Sequence, residues 1–349
     1  MIHPREVLLG AQGATGFLPV CDHYSGVEAR MKKSLQLQAE MTEEFGACVF
    51  DVTLDCEDGA PAGAEVEQAH RVVELATAGY SQAHGIKPRI GARLHPVDHA
   101  FFESDAAIVA GGAAASLAYI MIPKVESVAD VRRALGAIDA AVGDSRSTPI
   151  PLHVLIESPA AVHQAFEIAR HARVESISFG LMDFVSAHAG AIPSSAMGVR
   201  SAHDTDTLDQ FHHPLVVRAK LEIASACHAA GKVPSHCVVT EFKDAQALEK
   251  SARQAANALG YTRMWSIHPD QIRPILRAFA PSEAEVGLAS TIIWEAQRQE
   301  WAPISLAGKL HDRASYRYFW QVLERAHQTG CTLPDEVRAY FSTESALVS

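Results

Sequence analysis

The sequence has no excess of positive charge: 30 Lys and Arg stand against 41 Asp and Glu, a formal net charge of −11. Non-specific binding to nucleic acid or to an anionic membrane surface needs a positive field, so neither is expected as a partner. An anionic small substrate stays open, because a few local cations can hold one. Long apolar runs are missing too. The least polar stretch, 106–123, is mostly Ala and Gly before LAYIMIP, and reads as a small-residue helix followed by a buried strand. The apolar part of MIHPREVLLGAQG is too short for a signal-peptide core, so a soluble, cytoplasmic protein is expected. Cysteine is sparse: Cys21, Cys48, Cys56, Cys227, Cys237 and Cys331 include no CxxC pair, which removes support for a structural zinc site and suits buried reduced thiols. A dinucleotide-binding glycine fingerprint is also lacking, since Gly10, Gly13 and Gly16 precede the first strand candidate at the wrong spacing.

What is present is apolar material in short pieces. Hydrophobic residues make up 48% of the 349 and charged residues 20%, enough for a large core. Eight apolar runs recur along the chain: 16–20, 48–55, 88–95, 118–123, 152–157, 176–183, 233–239 and 263–268. Runs without strict alternation suit strands buried on both faces, and segments of helical spacing lie between them. The pattern predicts an α/β fold, a (β/α)₈ TIM barrel over residues 1–280, with an open doubly wound sheet as the alternative. From about Pro281 amphipathic helices take over, and residues 281–349 read as a C-terminal helical lid or oligomerisation segment.

In such a barrel the chemistry sits at the C-terminal ends of the strands. The second run ends in Asp55-Cys56-Glu57-Asp58-Gly59, the third in Arg93-Leu94-His95, the fifth in Glu157, and the sixth extends through Gly180 to Asp183. Several carboxylates at one mouth repel each other unless a cation neutralises them, and a hard divalent ion with oxygen ligands meets that need. Arg93 offers a rigid donor fork for a substrate carboxylate or an oxyanion. Lys124, after the fourth run, reads equally as an anion contact or a solvated lysine. Asp58 reads as a helix cap, and His95 and His268 as structural hydrogen-bonders.

These strand ends carry a resemblance. LDCEDG (54–59), GARLHP (91–96), IMIPKVES (120–127), LIESP (155–159), ISFGLMDF (177–184), SIHPDQI (266–272) and, more weakly, GKLHD (308–312) follow one another in family order. The chain resembles, from about residue 17 to about residue 326, the citrate lyase β-subunit-like group of the HpcH/HpaI aldolase superfamily, which includes malyl-CoA and citramalyl-CoA lyases. The resemblance implies that Glu157 and Asp183 hold Mg²⁺, with Mn²⁺ as the alternative. It implies that Arg93 contacts the substrate carboxylate or carbonyl, that Asp55, Glu57 and Asp58 form an acidic cluster near the metal, and that Asp312 is an acid/base acting across a subunit boundary. It further implies a homotrimer or hexamer. His95 replaces the Asn usual two residues after the arginine, and CDHYSGVEARMKKS replaces the usual first loop.

The expected activity is therefore Mg²⁺-dependent cleavage or formation of a β-hydroxyacyl thioester, such as malyl-CoA, citramalyl-CoA or a citryl thioester, through an enolate. The partners are then an oxoacid and a CoA thioester. Two alternatives are a class II aldolase acting on free 2-keto-hydroxy acids and a non-catalytic metabolite-binding protein. Retention of the acidic and arginine set weighs against the last, because buried charge is costly to keep without use.

Overall fold

The computed structural model describes residues 3–10, 18–60, 62–83, 85–200, 204 and 206–342. Eight parallel strands close into a barrel: β1 (Cys21–Ser25), β2 (Phe50–Asp55), β3 (Ile90–Arg93), β4 (Tyr119–Ile122), β5 (Leu152–Ile156), β6 (Val174–Phe179), β7 (Val233–His236) and β8 (Arg263–Ser266), with β8 pairing back to β1. The (β/α)₈ expectation holds. Two strand assignments are corrected. The first strand is not GFLPV (16–20): 16 and 17 lie outside the described residues, Leu18–Val20 are not in a strand, and CDHYS forms β1. β6 stops at Phe179, and Asp183 belongs to the short helix Leu181–Ser186.

The first correction has a physical cause. Alternate residues of a strand face opposite sides. In β2, Val52 and Leu54 point outward into the apolar core shared with the helices. Asp51, Thr53 and Asp55 point inward, where the barrel interior is polar. Arg263 pairs with Asp51 at 2.7 Å, and Arg89 pairs with Asp51 at 3.1 Å. Asp22 of β1 accepts from Thr53 Oγ1 at 2.7 Å and from Tyr119 Oη at 3.0 Å. CDHYS therefore has polar residues where a hydrophobic pattern would demand apolar ones. Gly91 is required beside this layer, because a Cβ there would run into the Tyr119 ring.

The C-terminal region has its own core. The helices Glu283–Arg298, Arg313–Gln328 and Asp335–Ser342 gather Ile292, Ile293, Tyr316, Trp320, Leu323 and Val337, and the N-terminal helix Pro4–Leu9 adds Leu8. Arg317 Nε donates to Leu8 O at 3.2 Å. GKLHD contributes an antiparallel strand, Lys309–His311, paired with Ile304–Leu306.

Candidate active site

The end of β2 builds the acidic side of the mouth. Asp55 turns its own loop: Oδ1 accepts from Glu57 N at 3.0 Å and Oδ2 from Gly59 N at 2.6 Å. A Cβ at Gly59 would press on Asp55 Oδ2, so the loop closes this tightly only with glycine. Arg93, 4% exposed, grips the turn from β3. Its Nε and Nη2 bind Asp55 at 2.7 and 2.9 Å, and Nη1 lies 2.7 Å from Glu57 Oε2. The guanidinium stacks over the Tyr24 ring at 4.4 Å, and the Tyr24 hydroxyl donates to Asp55. Tyr24 escapes a sequence search because CDHYS reads as a loop; only its position on β1 brings it to the mouth.

The far side of the mouth is built around Glu157, just past β5. Lys124 links it to the acidic loop. Its backbone sits at φ 51°, an unusual conformation for a non-glycine residue. There Lys124 N donates to Glu157 Oε2 at 2.8 Å, while Nζ donates to Glu57 Oε1 at 2.7 Å. Nζ lies 3.7 Å from Asp58 Oδ2. Asp58 itself is exposed and caps no helix; the next helix, Glu65–Gln82, starts after Ala64. Gly180 backs onto Glu157: a Cβ there would lie 2.8 Å from Glu157 Cδ and closer still to Cγ and Oε1.

Electrostatics tie Asp183 into the same site. Burial first, and then the Asp183 and Glu57 charges, push Glu157 from the usual 4.5 up to about 8. Arg93 feels both Glu157 and Asp183, which favour its charged form, while burial opposes it. Burial likewise pushes Asp55 up, against the N–H groups of Glu57 and Gly59. Among the described residues, Glu157 Oε1 and the Asp183 carboxylate accept no protein hydrogen bond. Two carboxylates near enough to raise one another's charge cost, each with an oxygen free of protein hydrogen bonds, fit a hard divalent cation that keeps part of its water. No group of three or more His, Cys, Asp or Glu among the described residues is arranged as a denser cage.

Two candidates stand apart. Asp312 is exposed at the N-cap of the helix Arg313–Gln328, where Oδ1 accepts from Ala314 N at 3.0 Å and from Ser315 N at 3.3 Å. No hydrogen bond or ion pair joins it to the mouth residues among the described residues. His268 is structural, accepting from Asp270 N at 3.2 Å in a capping box. His95 is a hydrogen-bonder too: its backbone N–H and its Nδ1 both meet Asp105 Oδ2, in a buried pair.

Comparisons with known proteins give the family. The family model HpcH/HpaI aldolase/citrate lyase matches residues 35–269. A structure of a citrate lyase from Burkholderia xenovorans is 44% identical, covers 97% of this chain and 99% of that chain, and superposes with a TM-score of 0.78. An L-malyl-CoA/β-methylmalyl-CoA lyase from Cereibacter sphaeroides is 29% identical over 72% of this chain and 78% of its own length. A protein from Mycobacterium tuberculosis in complex with magnesium, acetoacetate and coenzyme A shares the fold at 20% identity, covering 88% of this chain and 98% of that one, with a TM-score of 0.61. The chain belongs to the HpcH/HpaI aldolase/citrate lyase family and is a carbon–carbon lyase.

Proposed function

We propose that the protein cleaves, or in reverse forms, a β-hydroxyacyl thioester, releasing an oxoacid and an acyl thioester, with Mg²⁺ held by Glu157 and Asp183. The observation that carries this reading is the convergence of Arg93, Glu57, Lys124, Glu157 and Asp183 at one barrel mouth. The malyl-CoA lyase relatives supply the substrate class. Bound Mg²⁺ supplies Lewis-acid stabilisation of the oxygen that becomes the oxoacid carbonyl.

The chain's own residues do the rest. A guanidinium has five N–H donors, and Asp55 and Glu57 leave part of that set for a substrate carboxylate. Donors of this kind, aimed at developing negative charge in a site closed to water, contribute about 3 kcal/mol each. Glu57, raised by burial, is the base for the substrate hydroxyl, and Lys124 steadies it. Lys124 and Asp58 line the approach for the substrate. Asp312 is assigned as an acid/base arriving from a neighbouring subunit, which accords with its exposure and makes a homotrimer or hexamer part of the reading. Residues 281–349 then serve as lid and subunit contact. No helix among the described residues is long and apolar enough to cross a membrane, and we place the enzyme in the cytoplasm.

The test is a cleavage assay with Mg²⁺ on malyl-, methylmalyl- and citramalyl-CoA and on free hydroxy-oxo acids. Oxoacid release from a thioester, lost in Asp183→Ala and in excess EDTA, supports the reading. Release from free acids alone replaces it with an aldolase, and full activity in EDTA removes the metal from the mechanism.

A further inference from the structure

The barrel and the C-terminal helices have separate apolar cores, and the chain passes from one to the other at Ala280-Pro281. Two bodies packed side by side leave a seam, and small ligands settle preferentially in such seams. Here the seam opens into a cleft of about 580 Å³. One wall comes from the barrel helices Ala245–Leu259 and Ile272–Phe279, the other from Glu283–Arg298 and Arg313–Gln328. The lining shares no residue with the mouth. Barrel helices run back from the strand ends, and the lining reaches Asn257 and Phe279 near the far ends of the two barrel helices, so the cleft extends away from the mouth.

Three arginines line this cleft, Arg253, Arg277 and Arg325, in a chain whose formal net charge is −11. Two acids accompany them. Glu249 is shared: Oε1 accepts from Arg253 Nη2 at 2.7 Å and Oε2 from Arg277 Nε at 3.2 Å. Glu285 is engaged elsewhere, its Oε2 accepting from Ser282 N at 2.8 Å and from Ser282 Oγ at 2.7 Å in a capping box. Arg325 is left over. It is half-buried, and among the described residues its side chain makes no hydrogen bond or ion pair. None of its nitrogens is sealed from solvent, so the guanidinium opens on the cleft it lines. Burial pulls its pKa below the usual value, with the Tyr318 and Glu285 charges acting the other way.

A guanidinium stripped of part of its water, with no carboxylate on it, gains more from an incoming oxyanion than a fully solvated one does. Arg253 and Arg277 already show on Glu249 how the cleft holds an oxyanion between two arginines. Both are more than half exposed, and exposed pairs of this kind are weak, so both can turn donors to a second anion. The cleft has the size of a metabolite site, more than a bare ion fills. At its rim Tyr318, 58% exposed, offers a ring face and a hydroxyl to the rest of the ligand.

We propose that this cleft binds a small oxyanion ligand, bearing phosphate or carboxylate, whose anionic group sits on Arg325 and is shared with Arg253 and Arg277. Arg325 belongs to the helix Arg313–Gln328 and the other two arginines to barrel helices. The bound anion therefore bridges the two cores and braces that helix against the barrel. The site is separate from the lyase chemistry and stands whether or not the lyase reading holds.

The experiment titrates the full chain, in EDTA, with inorganic phosphate and with succinate by calorimetry. Ionic strength is kept constant with chloride, so that screening is common to all samples. Saturable binding of at least one probe is expected, and the one that binds names the chemistry. Arg325→Gln removes a charge-assisted contact and should weaken binding by about tenfold or more. Arg277→Gln, an exposed contact, should weaken it by about threefold. Arg93→Gln, in the mouth, should leave it unchanged. Hydrogen exchange over residues 313–328 should slow when the probe binds. Absence of saturable binding for both probes overturns the proposal. So does an affinity unchanged in Arg325→Gln, or one abolished in Arg93→Gln, which puts the anion in the mouth. Should Arg325→Gln not fold, an affinity unchanged in Arg277→Gln overturns it.

Discussion

Gly180→Ala is the sharpest perturbation of Glu157, the proposed metal carboxylate, that leaves every charged residue in place. The backbone at Gly180, φ −86° and ψ 87°, suits alanine, so the effect is steric rather than conformational. The new Cβ would lie 2.8 Å from Glu157 Cδ and closer to Cγ and Oε1. The backbone cannot retreat freely, because Gly180 N donates to Ile156 O at 2.8 Å and Phe184 N to Gly180 O at 3.1 Å. Glu157 must therefore yield, at its Cγ as well as its carboxylate, by roughly 1 Å, a displacement that costs on the order of 10²-fold in rate when it falls on a positioned group. Overpacking adds about 1–3 kcal/mol of destabilisation. The assay is kcat on the identified substrate together with Mg²⁺ affinity by calorimetry and thermal unfolding. Gly136→Ala is the control: this glycine is exposed on the helix Val128–Val142 with nothing within 4 Å of the added methyl. It should leave activity alone and stabilise by about 0.5–1 kcal/mol. Wild-type kcat and Mg²⁺ affinity in Gly180→Ala would refute the assignment of Glu157 as a closely seated ligand.

Further outcomes are expected. Glu157 binds its proton more tightly in the folded protein than in the unfolded chain, so its contribution to stability is present below about pH 4.5 and is lost as pH rises through about 8. Metal-free protein should then unfold at progressively lower temperature across that range, and Mg²⁺ should reverse the loss; a flat profile counts against a strained carboxylate pair. Arg93→Lys replaces the planar fork on Asp55 and Glu57 by a point charge and should lower kcat/KM by about 10²-fold, measured at saturating Mg²⁺. Asp51→Ala removes the partner of Arg263 and Arg89 inside the barrel and should cost about 3–5 kcal/mol in denaturant unfolding. Asp312→Asn keeps the helix cap, so any loss of activity reports acid/base chemistry, whereas Asp312→Ala should also cost about 1 kcal/mol in stability.

Much of the barrel and of its mouth was legible in the chain. Seven of the strands coincide with the apolar runs, because a strand covered on both faces must be apolar on its outward side at least. Asp55, Glu57, Arg93 and Glu157 stand out because acids and arginine interrupt those runs at their ends, where this fold exposes side chains. β1 was hidden for the opposite reason. Cys21-Asp22-His23-Tyr24-Ser25 lies against a polar barrel interior, and partners such as Thr53 and Tyr119 come from strands distant in sequence. Tyr24, on that strand, was lost with it.

Residue types at strand ends follow from local pattern, and so the sequence alone determined the barrel and the acids and arginine at its mouth. It could not determine pairings that depend on where loops return. The double grip of Arg93 on Asp55 and Glu57, the reach of Lys124 to both Glu57 and Glu157, and the His95–Asp105 pair are fixed by backbone direction after each strand. Asp183 shows the same limit: its place on a helix start rather than on β6 is set by where the sheet hydrogen bonds end. Side-chain chemistry is carried by the sequence, whereas distance and burial, which decide what that chemistry does, arise only when the barrel closes.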